Sequence, residues 1–146
     1  NMKNRSGFSF IEVLVVIMII AILATTVGVV VRHLPGKARV ASAKNQIGRF
    51  KLALEEYYAE QGRFPTQAQG LDALCRIPTS DPLPRNYPEG GYLDSLAIPK
   101  DPWNNEYVFT IPGPSGKAFE ITSYGADGEP GGEGEDSDIS SLNLQN

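Results

Sequence analysis

Two places in the sequence hold ionisable groups in patterns that call for a chemical reason. The first is Glu12, the one charged residue within the apolar run 8–31. An acid at the centre of a membrane helix costs on the order of 3 kcal/mol on insertion, so such residues usually have a function. Glu12 lies four residues past Phe8, about 6 Å along a helix, so a tolerated acid snorkelling to the interface is the competing reading. The second place is the segment 127–138, Asp-Gly-Glu-Pro-Gly-Gly-Glu-Gly-Glu-Asp-Ser-Asp, with six acids and no base. As a tail it would be solvated and disordered. As an ordered loop, its closely spaced hard oxygens suit Ca²⁺, which takes about six to eight ligands from carboxylates and carbonyls. It is not an EF-hand, because Glu129 and Gly131 stand where that template wants Asp or Asn.

No other group suggests chemistry. His33 is the only histidine and has no cysteine or second histidine beside it to make a zinc site. Cys75 is the only cysteine, so no disulfide can form within the chain, and it reads as a small buried hydrophobe. No nucleophile, base and orienting group and no paired-carboxylate cleft stand out, so an enzyme is not expected. Residues 62–146 carry thirteen acids against five bases, which argues against nucleic acid, since phosphate binding needs clustered Lys and Arg.

The elements that must position these groups follow from periodicity. Residues 1–7 are short and polar, with Lys3 and Arg5 and no acid. The apolar run behind them is long enough to span a bilayer, which needs roughly 20 residues. Basic charge ahead of the run predicts a cytoplasmic N-terminus and an exported remainder. A secretory signal would have an apolar region of about 7–15 residues and a small-residue cleavage site after it; the run here is longer, so it is retained. After a polar break containing Pro35-Gly36, Ile47, Phe50, Leu54, Tyr57 and Tyr58 form one stripe of an amphipathic helix that stops at Gly62. A bend or break is expected between Gly28 and Gly36. Residues 69–74 read as a short helix and residues 78–91, with four prolines, as a loop. Tyr107 to Ile111 and Ala118 to Tyr124 read as an antiparallel hairpin. Trp103 reads as core or as a lid over it. So small a domain needs reinforcement beyond its core.

The string Gly7-Phe8-Ser9-Phe10-Ile11-Glu12 ahead of an apolar helix resembles the processing signal of type IV pilins and pseudopilins. Gly-Arg-Phe-Pro-Thr at 62–66, Gln-Gly-Leu-Asp-Ala-Leu at 69–74, Asp-Pro-Trp-Asn-Asn-Glu-Tyr at 101–107 and Ser-Tyr-Gly-Ala-Asp-Gly at 123–128 narrow the resemblance to the major pseudopilins of type II secretion systems. It implies an α+β, pilin-like fold: a long N-terminal helix, half transmembrane and half amphipathic, packed on a small antiparallel sheet. The expected organisation is a leader at 1–7, a transmembrane and assembly helix at 8–31 and an amphipathic spine at 32–61. A variable segment with the hairpin follows at 62–126, then a calcium loop and C-terminus at 127–146.

The resemblance also implies a mechanism. A prepilin peptidase cuts after Gly7 and methylates the new amine of Phe8, and Glu12 directs assembly into a homo-oligomeric filament. Opposite charges held out of water attract strongly, so the Glu12 carboxylate of one copy can pair with the Phe8 amine of the next. The implied setting is a single-pass inner-membrane protein with its C-terminal domain in the periplasm. There it joins a pseudopilus with minor pseudopilins and an inner-membrane assembly platform, and helps export folded proteins across the outer membrane. The family's structural Ca²⁺ site maps onto Asp127 and Asp138, with Asp136 or Ser137 beside them and the carbonyls of Tyr124 and Glu129 as further ligands. The alternatives are a type IV pilin or minor pseudopilin, or a membrane-tethered calcium-dependent binding module. A single cysteine cannot close the disulfide loop usual in adhesive pilins, and a tip subunit would lack Glu12.

Overall fold

A computed structural model describes residues 7–32 and 36–145, with side chains throughout except over 25–32. His33 and Pro35 lie outside the described residues, as do Lys3 and Arg5. The chain divides into two units, Asn1–Pro35 and Gly36–Asn146.

The first unit holds α1, Phe10–Arg32, whose only acid is Glu12 in the first turn. The helix assignment runs unbroken through Gly28. All its described side chains are exposed, the large apolar ones from 46% at Val13 to 81% at Phe10. Among the described residues, no helix is long and apolar enough to cross a membrane.

The second unit is built on α2, Gly36–Gln61. Its buried stripe is Ala43, Ile47, Phe50, Leu54 and Tyr57, spaced three or four apart, with Ala53 beside Leu54 on the same face. The expected stripe member Tyr58 is instead 49% exposed. It sits about 100° round the helix from Tyr57, and its ring lies 4.7 Å from that of Phe64 at the rim. Small Ala43 and Ala53 complete the buried stripe.

That sheet is antiparallel, in the order β1 (Val108–Thr110), β2 (Glu120–Ser123), β3 (Ile139–Ser140). The predicted hairpin is present, with Phe109 opposite Ile121. A third strand, pairing Ser123 with Ile139, is not predicted from periodicity, since two residues between turns carry no periodic signal. Phe109, Phe119, Ile121 and Ile139 join the α2 stripe in one core with Leu71 and Leu74 of a short 3₁₀ helix, Leu71–Leu74. Phe50 meets Tyr107 edge-on at 5.1 Å, an arrangement that favours aromatic pairs beyond simple burial. Trp103 is half-buried and packs against this core. Cys75 is buried, and burial pushes its thiol pKa up.

The reinforcement that a disulfide cannot supply comes from side-chain amides. Gln61 accepts from Arg85 N at 2.7 Å and donates to Arg85 O at 2.8 Å. Gln69 donates to the carbonyls of Ser80 and Pro82 at 2.8 and 3.0 Å, and Arg63 donates to those of Pro82 and Leu83 at 2.8 and 3.0 Å. These bonds give the proline-rich segment 78–91, which has no regular structure of its own, a fixed path over the core. Gln67 donates to Phe109 O at 2.6 Å and accepts from Ile111 N at 2.9 Å, taking the place of a neighbouring strand on the open edge of β1.

Candidate functional site

The N-terminal motif begins in extended chain at Gly7, Phe8 and Ser9, with Phe8 83% exposed. Ser9 is the N-cap of α1: its Oγ accepts from Glu12 N at 3.3 Å and its carbonyl from Glu12 N and Val13 N at 3.1 and 3.2 Å. Ser9-x-x-Glu12 is thus the capping-box spacing, and an acid in the first turn suits the positive end of the helix. The Glu12 side chain is exposed. The Ser9-x-x-Glu12 spacing is the signal by which this cap can be found in the sequence.

The second candidate site is the loop from Tyr124 to Asp138, between β2 and β3. It is ordered by its own backbone: Ala126 N donates to Glu135 O at 2.9 Å, and a short 3₁₀ turn, Gly134–Asp136, follows. Asp127 and Asp138, placed early and late in the loop, both turn back on it. Asp127 Oδ1 accepts from Glu129 N at 3.1 Å, and Asp138 accepts from Gly131 N through both oxygens at 3.0 and 3.1 Å. Asp136 lies exposed in the 3₁₀ turn, and Ser137 Oγ donates to Gly134 O at 2.8 Å. Among the described residues, no group of three or more His, Cys, Asp or Glu side chains could hold a metal ion.

The loop backbone packs tightly at two glycines. Gly125, at φ +74°, is packed so closely that a β-carbon would lie 2.5 Å from Glu135 O and 2.9 Å from Ser137 O. Gly132, at φ +93°, has Asp136 O in the same relation at 2.6 Å. Both positions need glycine for conformation and for space. The loop's side chains offer only oxygen donors, the chemistry of a hard cation such as Ca²⁺ rather than of a soft metal, but the described residues do not gather them into a ligand cluster. The loop also reaches the start of α2, where the Glu135 carboxylate rests against Gly36 and a β-carbon would collide with it.

Beneath the loop lies a turn whose importance was not apparent from sequence. Asp101 is 4% exposed, and its Oδ1 accepts from Trp103 N at 3.1 Å and Asn105 N at 2.8 Å. Its Oδ2 accepts from Ser123 Oγ at 2.7 Å, and the Asn105 side chain donates to Gly125 O at 3.2 Å. Nearby, Tyr107 bonds to Gln46, and burial, then the Asp101 charge, raise its hydroxyl pKa. The available signal was Asp-Pro followed by Asn-Asn, a turn sequence in which Asp bonds its own downstream backbone.

Comparison with known proteins agrees with both halves of this description. Residues 30–142 match the family model described as type II secretion system protein G. Residues 2–28 match the prokaryotic N-terminal methylation motif. The type II secretion system core protein G of Vibrio cholerae is 43% identical over 147 residues, covering 99% of this chain and 96% of that one. Its counterpart in Pseudomonas aeruginosa is 42% identical over 137 residues, 94% of each chain. A crystal structure of the major pseudopilin from the type 2 secretion system of enterohaemorrhagic Escherichia coli superposes with a TM-score of 0.61 at 35% identity, covering 72% of this chain and 87% of that one. The chain belongs to the type II secretion system protein G family, the major pseudopilins, and is a structural subunit of the pseudopilus.

Proposed function

We propose that this pseudopilin is a non-enzymatic filament subunit, cut after Gly7, methylated on the Phe8 amine and assembled through α1. The observation that carries the reading is the state of α1. Among its exposed residues 8–24 only Ser9 and Glu12 are polar. A helix apolar all round is stable where lipid or other protein surrounds it. Before assembly that surrounding is the inner membrane, entered with the basic N-terminus cytoplasmic and Gly36–Asn146 in the periplasm. After assembly it is other copies.

Cleavage creates a cationic amine four residues from an acid at the same end of the same helix. Each copy then presents one donor and one acceptor at a fixed axial offset, a head-to-tail contact that propagates as an open helical filament. Its partners are the prepilin peptidase, the inner-membrane assembly platform and the minor pseudopilins, and the filament's work is to export folded proteins across the outer membrane. Mass spectrometry of protein co-expressed with a prepilin peptidase tests this reading. Loss of residues 1–7 with one added methyl group on Phe8 supports it, and an uncut N-terminus overturns it.

A structural Ca²⁺ belongs to the same proposal, bound by Asp127 and Asp138 with the Tyr124 and Glu129 carbonyls, and Asp136 or Ser137 completing the set. An ion that binds only the folded state stabilises it in proportion to the logarithm of ion concentration over Kd. The wild-type melting temperature should therefore rise from chelator to calcium, and Asp127→Ala should lose that rise. Equal rises in the two proteins would remove Asp127 from the ligand set.

A further inference from the structure

We propose that α2 is a second assembly surface, on which the basic first half of one copy docks against the acidic second half of the next. This rests on the filament reading above and adds a contact outside α1.

Every charge in the first half of α2 is basic, at Lys37, Arg39, Lys44, Arg49 and Lys51. Every charge in the second half is acidic, at Glu55, Glu56 and Glu60. All are exposed except Lys44, which is half-buried. The helix by itself does not favour this order. Its dipole suits acids near the N-terminus and bases near the C-terminus, yet α2 has no acid in its first turn and no base in its last. Opposite charges fall at i, i+4 only once, at Lys51 and Glu55, with the base first, which is the less favourable order. Glu56 and Glu60 are like charges at the same spacing, which is destabilising.

Groups from other elements leave the sign of each half unchanged. Asp94 shares a cleft with Arg49, and Lys117 shares one with Lys51 and Glu55. Glu135 of the acidic loop meets α2 at Gly36. Arg49 and Lys51 lie 13 and 15 residues further on, about 20 Å along the axis. The five bases centre on position 44 and the three acids on position 57, again about 20 Å apart.

A second copy of this chain is the partner that matches such a surface. Two parallel copies displaced by about that distance bring the bases of one beside the acids of the other. Each copy keeps one half of each sign unused, so the contact repeats head to tail and does not close. At the change of sign, Leu52 is 66% exposed and borders the same cleft as Arg49 and Glu56. It supplies the apolar centre that protein interfaces carry within a polar rim.

The test is electron microscopy of the full chain co-expressed with a prepilin peptidase and an assembly platform. One variant carries Arg49→Glu with Lys51→Glu, and the other carries Glu55→Lys with Glu56→Lys. Each alone should cut filament yield about ten-fold or more, because like charges then face each other. Co-expressing the two should restore filaments. Reversed half then meets reversed half and native meets native, so opposite signs face each other at every contact. If a paired reversal lowers the melting temperature, the single reversals Arg49→Glu and Glu56→Arg decide by the same comparison. A loss that co-expression does not repair would assign these charges to another partner, such as anionic lipid, and overturn the inference. Reversals that keep the wild-type yield would also overturn it and leave assembly through α1 standing. Wild-type chain that forms no filaments would overturn the assembly reading itself and this inference with it.

Discussion

The two helices are of similar length, 23 and 26 residues, and their relations to the rest of the chain are opposite. The residues of α2 divide cleanly: one face is buried under the sheet and the 3₁₀ helix, and the other carries charge. In α1 there is no division, because every described side chain is exposed and apolar residues lie on all sides. The stability of α2 is therefore intramolecular, and that of α1 depends on what surrounds it. Within one chain, the same secondary structure is a core element in one place and, over its described side chains, wholly exposed in the other.

The sharpest way to break this comparison is at Glu12. Replacing it with Ala should abolish filament formation, read by electron microscopy or crosslinking, because an unpaired amine left out of water is strongly unfavourable. The melting temperature of the Gly36–Asn146 unit should not change. The converse is Leu54→Ala on α2. Leu54 is fully buried, so the cavity should destabilise this unit by about 2–5 kcal/mol in denaturant titration. The same change at Leu14 on α1 should leave that titration unaltered.

A smaller effect is expected from Gln67→Ala, which leaves Phe109 O and Ile111 N without their side-chain partner. A loss of about 1–2 kcal/mol, with a greater tendency of the opened β1 edge to self-associate, is the outcome that sedimentation and denaturation together would read.

The smallest effect concerns pH. Burial pushes Tyr87 and Tyr92, which pack edge-on against each other, up to about 12 from the ordinary value of 10.0. Their pKa is thus higher in the folded than in the unfolded state. Above about pH 10 the unfolded chain releases these protons while the folded one keeps them, so stability must fall as pH rises from about 10 towards 12. The contribution is fully present below pH 10. Both tyrosines lie in the second unit, so the alkaline loss should be read in its melting.

Much of this contrast can be read without coordinates because it depends on local order. The run 8–31, the stripe through Ile47, Phe50, Leu54 and Tyr57, and the hairpin with its Pro-Gly turn all follow from spacings of a few residues. The Gly7-Phe8-x-x-x-Glu12 signal and the acidic loop lie in single stretches and are legible for the same reason. Tyr58 was misassigned to the buried face because periodicity fixes the direction of a face and not its width. How much of a helix is covered depends on what packs there, and Phe64 leaves Tyr58 at the rim.

What the sequence determined by itself is the kind of protein this is: an apolar helix with one acid behind a short basic segment, followed by a small domain with a single cysteine. The tertiary structure alone decided how that domain is held and how its loop is shaped. Gln61, Gln67 and Gln69 are ordinary surface residues until folding brings them to Arg85, Phe109 and Ser80, which lie 11 to 42 residues away. Asp101 reads as one more acid until the chain places it under Ser123, 22 residues on. A hydrogen bond depends on distance and angle between atoms, and sequence specifies these only across a turn or two. Beyond that range the packing of α2 against the sheet determines which polar groups meet.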